Sequence, residues 1–360
     1  MKPILAALGA VVVAAAGYFI YDEFFKTYPF GSTDAVVSTL RGNLTETREP
    51  AASPAAAALA MIDAIDPAGA TDLVQPLDSQ DRASWSNLPA GIYGGRVGVR
   101  LGDLDAQGND AVWAFLRTAL SEEGFQEVTK VVLADKVLGE TEGAPRFGWG
   151  SDNFWVAIYG APSEEGAWAW QFGGHHLALN MAVNGDRMVF SPFFFGTEPA
   201  DFEDNGAQVL PAGGVPVAAF AFMETLEPAQ AASARVSERP EEVYAGAGND
   251  DLVPAQEGLA LSQLSAPQAG ALEVLLGELV GLMPEPAAST RLQALRAEFD
   301  QSTFAWNGET DGSTRIYFQF QSPSALIEFS TQGVIGADAG HYHAIYRNLG
   351  DDYGAALLAQ

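Results

Sequence analysis

Segments with the alternating pattern of β-strands form two groups in this chain, and segments with helical spacing precede each group. The first strand group covers about residues 153–195, and the second covers about residues 303–347. The regular alternation of strand and helix that is typical of a parallel sheet is absent. The pattern therefore predicts an α+β fold with a largely antiparallel sheet flanked by helices.

Turn and helix signals divide the rest of the chain. Asn184-Gly185, between two strand segments, is typical of a two-residue hairpin turn. The stretch 200–265 is rich in Pro, Gly and Ala, and we interpret it as long loops with little regular structure. We expect residues 55–360 to form a single α+β domain. Helical spacing of apolar residues predicts helices at 55–65, 109–120, 126–138, 267–282 and 287–301.

The start of the chain has the pattern of an export signal. Lys2 is followed by an uncharged apolar run over residues 3–21, which is just long enough to cross a membrane as a helix. We interpret residues 1–26 as a signal anchor or a cleaved signal peptide, and the charges on either side place the domain outside the cytoplasm, in the periplasm or extracellular space. This helix would be the protein's only membrane contact. Residues 27–54 are predicted to be a flexible linker.

Charge and cysteine content exclude several classes of function. The chain has 46 acidic and 18 basic residues, for a formal net charge of −28. Such a chain repels nucleic acid, and we expect no nucleic-acid partner. Cysteine is absent, so disulfides, thiol catalysis and thiolate metal ligands are excluded. Any metal site must therefore use nitrogen and oxygen ligands.

All four histidines of the chain lie in two clusters. His175 and His176 are adjacent in the first strand group, whereas His341 and His343 flank one tyrosine in the second. Histidine is the commonest protein metal ligand and the usual general base near neutral pH. The clustering predicts that the two pairs converge on one site.

The spacing within each cluster suggests how the imidazoles divide their roles. Residues two apart on a strand share a face, so His341 and His343 can reach one metal ion. Adjacent residues on a strand point to opposite faces. His176 shares its face with Ala178, Asn180 and Ala182, which are smaller and more polar than the residues on the face of His175. We therefore predict metal ligation by His176, His341 and His343. His175 is expected to be a neighbour of the site or a substrate contact.

Two glutamates and one arginine complete the set of candidates. Glu328 lies within an apolar strand and Glu198 at the end of one. A lone buried carboxylate is costly unless a cation, a proton or hydrogen bonds satisfy it, so either glutamate is a candidate ligand or general base. Arg347 shares a strand face with His341 and His343. It is expected to pair with a carboxylate or to hold an anionic substrate.

Eight segments of the chain, taken in order, carry a family resemblance: 81–85, 120–125, 170–180, 195–200, 304–308, 326–329, 341–347 and 352–354. Together they resemble an uncharacterised family catalogued as domain of unknown function 3500. The resemblance covers about residue 55 to the end, and its most specific features are the His-His and His-x-His segments. It implies one domain and frequent export signals, but no activity. In family members the arginine equivalent to Arg347 is usually followed by aspartate, whereas this chain has Asn348.

Three hypotheses of function follow from the sequence. The first is an exported metal-dependent hydrolase or oxidase that holds a divalent Zn, Cu, Fe or Mn ion. The second is a non-catalytic module that binds a metal or a solute, and the third is a metal-free enzyme that uses histidine acid–base chemistry. An open coordination position favours an enzyme, whereas a closed shell of protein ligands favours binding or structure. The residues do not identify the small-molecule substrate or ligand.

Overall fold

The computed structural model describes residues 31–45, 53–69, 71–141, 144–237, 242–332 and 340–359. Within these ranges, no helix combines the length and apolar character needed to cross a membrane. The anchor or signal peptide predicted at 1–26 lies outside the described residues.

The two strand groups join in one mixed sheet of eleven strands, which confirms the predicted α+β class with flanking helices. Thirteen strands are described: β1 (Val74–Gln75), β2 (Val99–Arg100), β3 (Phe154–Tyr159), β4 (Ala167–Gly174), β5 (Leu177–Asn184), β6 (Arg187–Thr197), β7 (Phe202–Asp204), β8 (Ala207–Val209), β9 (Leu259–Ala260), β10 (Thr303–Asn307), β11 (Tyr317–Gln321), β12 (Ala325–Thr331) and β13 (Tyr342–Asn348).

The pairing of β6 with β13 brings the two groups together. The strand order is β1-β3-β4-β5-β6-β13-β12-β11-β10-β9, with β2 on β3, while β7 and β8 form a separate hairpin. The pair β1–β3 is parallel, and the other pairs between these strands are antiparallel. At the junction, Gly196 on β6 lies opposite His343 on β13. The second histidine cluster therefore sits beside the end of β6.

The helices begin at residues that satisfy their exposed amide groups. Asp105 caps α3 by accepting from Gly108 N, and Ser121 caps α4 by accepting from Gly124 N. The helices are α1 (Asp34–Thr45), α2 (Pro54–Ile65), α3 (Ala106–Ala119), α4 (Glu122–Gly139), α5 (Ala144–Phe147), α6 (Gly214–Glu224), α7 (Pro228–Ala234), α8 (Ala266–Val280), α9 (Ala287–Ala297) and α10 (Ala355–Leu358).

The sheet has a different cover on each face. On one face, strand side chains such as Phe172 and Phe193 belong to the large core that also contains buried residues of α3, α4 and α8. On the other face, a smaller cluster joins Trp85 and Val243, from two loops, to Phe194 and Ile345. Side chains alternate along β13, so His343 lies on the same face as Ile345. The second histidine cluster is thus on the loop-covered face.

Two stretches that we expected to be irregular contain regular structure. Helix α1 lies within the predicted linker and buries Val36, Val37 and Leu40, so the expectation of a flexible linker is wrong for residues 34–45. These apolar residues recur at helical spacing, which gives the segment a face to bury.

The stretch 200–265 contains the β7–β8 hairpin and helices α6 and α7. In α6, Pro216 occupies the first turn, where the backbone N–H that proline lacks would have no helical partner. Proline there is compatible with the helix, so the expectation of long loops over this stretch is corrected.

Candidate metal centre

A two-residue turn positions the first histidine pair. The β4–β5 ladder ends at the pair Gly174–Leu177, which leaves His175 and His176 as the turn itself. The histidine pair that we placed within a strand group is therefore a turn, and the next strand starts at Leu177. His176 has a φ of 59°, a conformation that is uncommon outside glycine. The turn lets the adjacent imidazoles reach different partners.

The second pair enters the site from the start of β13. His341 directly precedes this strand, and His343 is its second residue. A side chain at position 196 would obstruct the site, because a Cβ on Gly196 would lie 2.5 Å from Tyr342 O and 2.8 Å from Cδ2 of His343. Because Gly196 has no side chain, the imidazole of His343 can pack directly against β6.

Three imidazoles converge through the same ring nitrogen. Nε2 of His341 lies 2.9 Å from Nε2 of His176 and 2.9 Å from Nε2 of His343. His176 and His343 are only 3% and 5% exposed. The prediction that the two clusters converge is confirmed. These three side chains offer ligand atoms within 4.8 Å of one another and can hold a metal ion.

The hydrogen bond of His343 with Glu242 fixes which of its nitrogens faces the centre. Nδ1 of His343 lies 2.6 and 2.8 Å from the two carboxylate oxygens of Glu242. An ionised carboxylate only accepts, so His343 donates from Nδ1, and its neutral ring presents a lone pair at Nε2. Nε2 of His341 has one proton or one lone pair, so it cannot form linear hydrogen bonds to both neighbouring nitrogens. A shared cation would satisfy all three nitrogens.

The surroundings favour the neutral, ligating form of His176. Burial lowers the pKa of the His176 imidazole well below its ordinary value, and the charges of His175, His341 and His343 lower it further. A metal ligand must be a neutral imidazole, so this environment suits metal binding.

A second buried branch leads away from the centre through His175. Its ring stacks on His176 with 3.7 Å between the ring centroids, and its Nδ1 donates to Oδ1 of Asp135 at 2.6 Å. The other oxygen of Asp135 accepts from Gly150 N at 2.9 Å. Asp135, His175 and His176 form a second group whose ligand atoms lie within 4.8 Å of one another. This branch fixes the orientation of the turn.

Glu198 lies at the edge of the centre. Its Oε2 is 3.8 Å from Nδ1 of His341, and the residue is 8% exposed. This distance is too long for a direct hydrogen bond. Glu198 therefore adds negative charge beside His341 from outside the ligand group.

The structure gives Glu328 a different place from the one that we expected. It is fully buried, and its two oxygens accept from Tyr244 N and Ala245 N, both at 2.9 Å, and from the Tyr317 hydroxyl at 2.7 Å. Burial raises the pKa of its carboxyl, although these three donors oppose the rise. Glu328 thus anchors the loop that carries Glu242, and it is not among the side chains that form either metal-capable group in the described residues.

Arg347 also lies away from the histidine centre and forms hydrogen bonds with other residues. It shares the face of His343 but lies four residues along β13, about 13 Å away at the usual strand rise. Its Nε donates to Asp352 at 2.9 Å, and its Nη1 donates to carbonyl oxygens of Asn249 and Leu252. The expected pairing with a carboxylate is present, but the partner is Asp352, and the pair braces a surface loop.

Sequence reasoning missed the two carboxylates that bind the histidines directly. Asp135 had a signal, because it occupies the apolar stripe of α4 three residues after Val132 and three before Leu138. A carboxylate in such a stripe needs a buried partner. Glu242 had no comparable signal, since it follows other charged residues in a stretch rich in Pro, Gly and Ala.

Fold and site together define an α+β protein with a buried centre of histidines that can hold a metal ion. The chain belongs to the family described as protein of unknown function (DUF3500), whose model matches residues 47–355. Neither the curated proteins nor the solved structures contain a match to the chain.

Proposed function

We propose that the protein binds a divalent transition-metal ion through Nε2 of His176, His341 and His343. The observation that carries this proposal is that Nε2 of His341 lies 2.9 Å from Nε2 of both His176 and His343, across two distant parts of the chain. Zinc is the leading ion. Three nitrogen ligands on a tetrahedral zinc ion, with bonds of ~2.0–2.1 Å, lie about 3.3 Å apart, so a small outward shift of the rings accommodates it.

The donor set separates manganese from the other three candidate ions. Imidazole nitrogen suits zinc, copper and iron, whereas manganese prefers carboxylate and water oxygen. Glu242 acts as the outer carboxylate that orients His343, and Glu198 and the Asp135–His175 pair surround the other two rings. Outer partners of this kind fix ring orientation and raise ligand basicity.

We propose hydrolysis as the reaction. A bound zinc ion supplies Lewis acidity and lowers the pKa of the water molecule that it binds. Glu242 would support this chemistry by accepting from Nδ1 of His343 and so raising the basicity of Nε2. The domain is proposed to act outside the cytoplasm, in line with the apolar run at 3–21.

A second function is favoured by the burial of the centre. His176 and His343 are almost inaccessible, which would restrict the access of a substrate to an ion held between them and favours metal binding without catalysis. Oxidation by copper or iron is the third possibility that the donor set allows.

One experiment separates these functions. Metal-free protein is loaded with Zn²⁺, Cu²⁺, Fe²⁺ or Mn²⁺ and assayed with p-nitrophenyl esters, phosphate esters and glycosides, and for oxygen consumption. We expect Zn²⁺-dependent hydrolysis that is lost in His343→Ala and reduced in Glu242→Gln. Tight zinc binding without turnover of any of these substrates would favour the binding module, and Cu²⁺- or Fe²⁺-dependent oxygen consumption would favour the oxidase.

A further inference from the structure

A groove of about 530 Å³ opens beside Glu242 on the loop-covered face. One wall is the segment 83–88 together with Tyr93, and the other is the segment 242–249. This volume falls within the usual range for small-molecule sites. Glu242 is thus shared: its carboxylate is 2.6 Å from Nδ1 of His343, and its side chain also lines the groove.

The groove has almost no charge. Among the described residues that line it, Glu242 alone has a charged side chain; the rest are neutral and include five with a hydroxyl or an amide: Ser84, Ser86, Asn87, Tyr93 and Asn249. Asn87 donates to Glu242 at 3.5 Å, and each amide retains further hydrogen-bonding capacity. Tyr93 and Trp85 add aromatic surface.

Nearby arginines shape the walls instead of binding an anion in the groove. Arg96 donates to the carbonyl oxygens of Ser86, Leu88 and Tyr93. Arg347 donates to the carbonyl oxygen of Asn249 on the opposite wall. Both guanidinium groups are therefore engaged with the backbone that forms the groove.

These features select the charge of the ligand. An anion would meet Glu242 and the field of a chain with a net charge of −28. A cation would be attracted by the same field, but the groove offers it one carboxylate, which also accepts from His343, and no second charged group among the described lining residues. Neutral hydroxyl and amide groups match the lining, since they can donate to Glu242 and exchange hydrogen bonds with the serine and asparagine side chains.

We infer that this groove binds a neutral polyhydroxylated molecule of sugar size and holds it against Glu242. As a substrate site for the metal centre, the inference rests on the proposed function, whereas binding in the groove does not. The Glu242 carboxylate would then accept one hydrogen bond from a hydroxyl group of the ligand and another from Nδ1 of His343. The substrate class of the proposed hydrolase would be a glycoside or a sugar ester.

The test measures binding to the full chain by saturation-transfer NMR and calorimetry. The probes are maltose, cellobiose and N,N′-diacetylchitobiose, with glucosamine as the cationic and glucuronate as the anionic comparison. Ala83→Trp places a large ring at an exposed position of the groove wall, and Ala232→Trp is the matched exposed control on α7. Zinc titration of both variants reports whether the metal centre is intact.

We expect at least one neutral sugar to bind better than both charged probes. Ala83→Trp should weaken this binding by at least about tenfold and leave zinc affinity unchanged, while Ala232→Trp should change neither. Binding of none of the neutral sugars, stronger binding of a charged probe, or no effect of Ala83→Trp would each overturn the inference. Sugar binding by protein that takes up no metal would overturn the metal proposal alone and leave the groove assignment standing.

Discussion

Replacing Glu328 by glutamine tests whether the buried carboxylate holds the loop that carries Glu242. Glu328 accepts from two backbone N–H groups, of Tyr244 and Ala245, and from the Tyr317 hydroxyl. Glutamine offers one oxygen, and its NH₂ group would face a backbone donor. The hydroxyl can rotate to accept, so one buried donor stays unsatisfied.

The magnitude follows from that one lost hydrogen bond. An unsatisfied buried donor costs about 1–3 kcal/mol. For a domain of this length, with an unfolding entropy of ~2.1 cal/mol/K per residue, Tm should fall by about 2–5 °C. Because the loop shifts, the bond from His343 to Glu242 weakens too. Zinc affinity should fall about tenfold, the lower end of the effect of losing an outer-shell partner.

Calorimetric unfolding and zinc titration against a competing chelator measure the two effects separately. Glu273→Gln is the matched control, because it breaks an exposed ion pair with Arg296 that is worth about 0–1 kcal/mol. Glu242→Gln should lower zinc affinity with little loss of stability. A destabilised Glu328→Gln variant with unchanged zinc affinity would refute the anchoring role, and unchanged stability would refute the argument from buried hydrogen bonds.

Three further predictions concern other parts of the molecule. His343→Ala should lower metal occupancy sharply, and wild-type occupancy should fall at acidic pH, where protons compete with the metal for the imidazole nitrogens; elemental analysis after dialysis at several pH values checks both. Hydrogen bonds from Arg41 hold the pKa of Asp204 below its ordinary 3.8, so Asp204→Asn should destabilise the protein at neutral pH, and denaturation curves of the two proteins should draw together as the pH falls below about 4. Deleting residues 1–26 should leave a folded protein in the cytosol, whereas full-length protein found wholly in the cytosol on fractionation would contradict the export proposal.

Local pattern was enough to predict the strands that carry the site. The His-x-His spacing and the position of β13 follow from the two-residue period of a strand, so the shared direction of His341 and His343 was readable. The choice of His176 over His175 as the partner of the second cluster came from the same period. Yet the physical cause is a turn: with positive φ at His176 the two rings stack, and their nitrogens reach different partners, Asp135 and His341.

What could not be predicted depends on contacts between distant segments. Glu242 reaches His343 only because Glu328, on β12, anchors the loop from beneath. No local pattern encodes that contact. Helix α1 and Asp135 are different, because the sequence contains a signal for each. The apolar residues of α1 have helical spacing, although the segment has the composition of a linker. Asp135 is a carboxylate within the apolar stripe of α4.

Metal analysis of the full chain, purified without added metal and then dialysed against Zn²⁺, tests the central claim most directly. Elemental analysis combined with X-ray absorption should give about one ion per chain, with imidazole nitrogens at ~2.0–2.1 Å. The signal should be lost in His343→Ala and kept in Glu273→Gln. Wild-type protein that retains no Zn, Cu, Fe or Mn above background, before or after loading, would contradict the account and leave the three imidazoles as a hydrogen-bonded cluster.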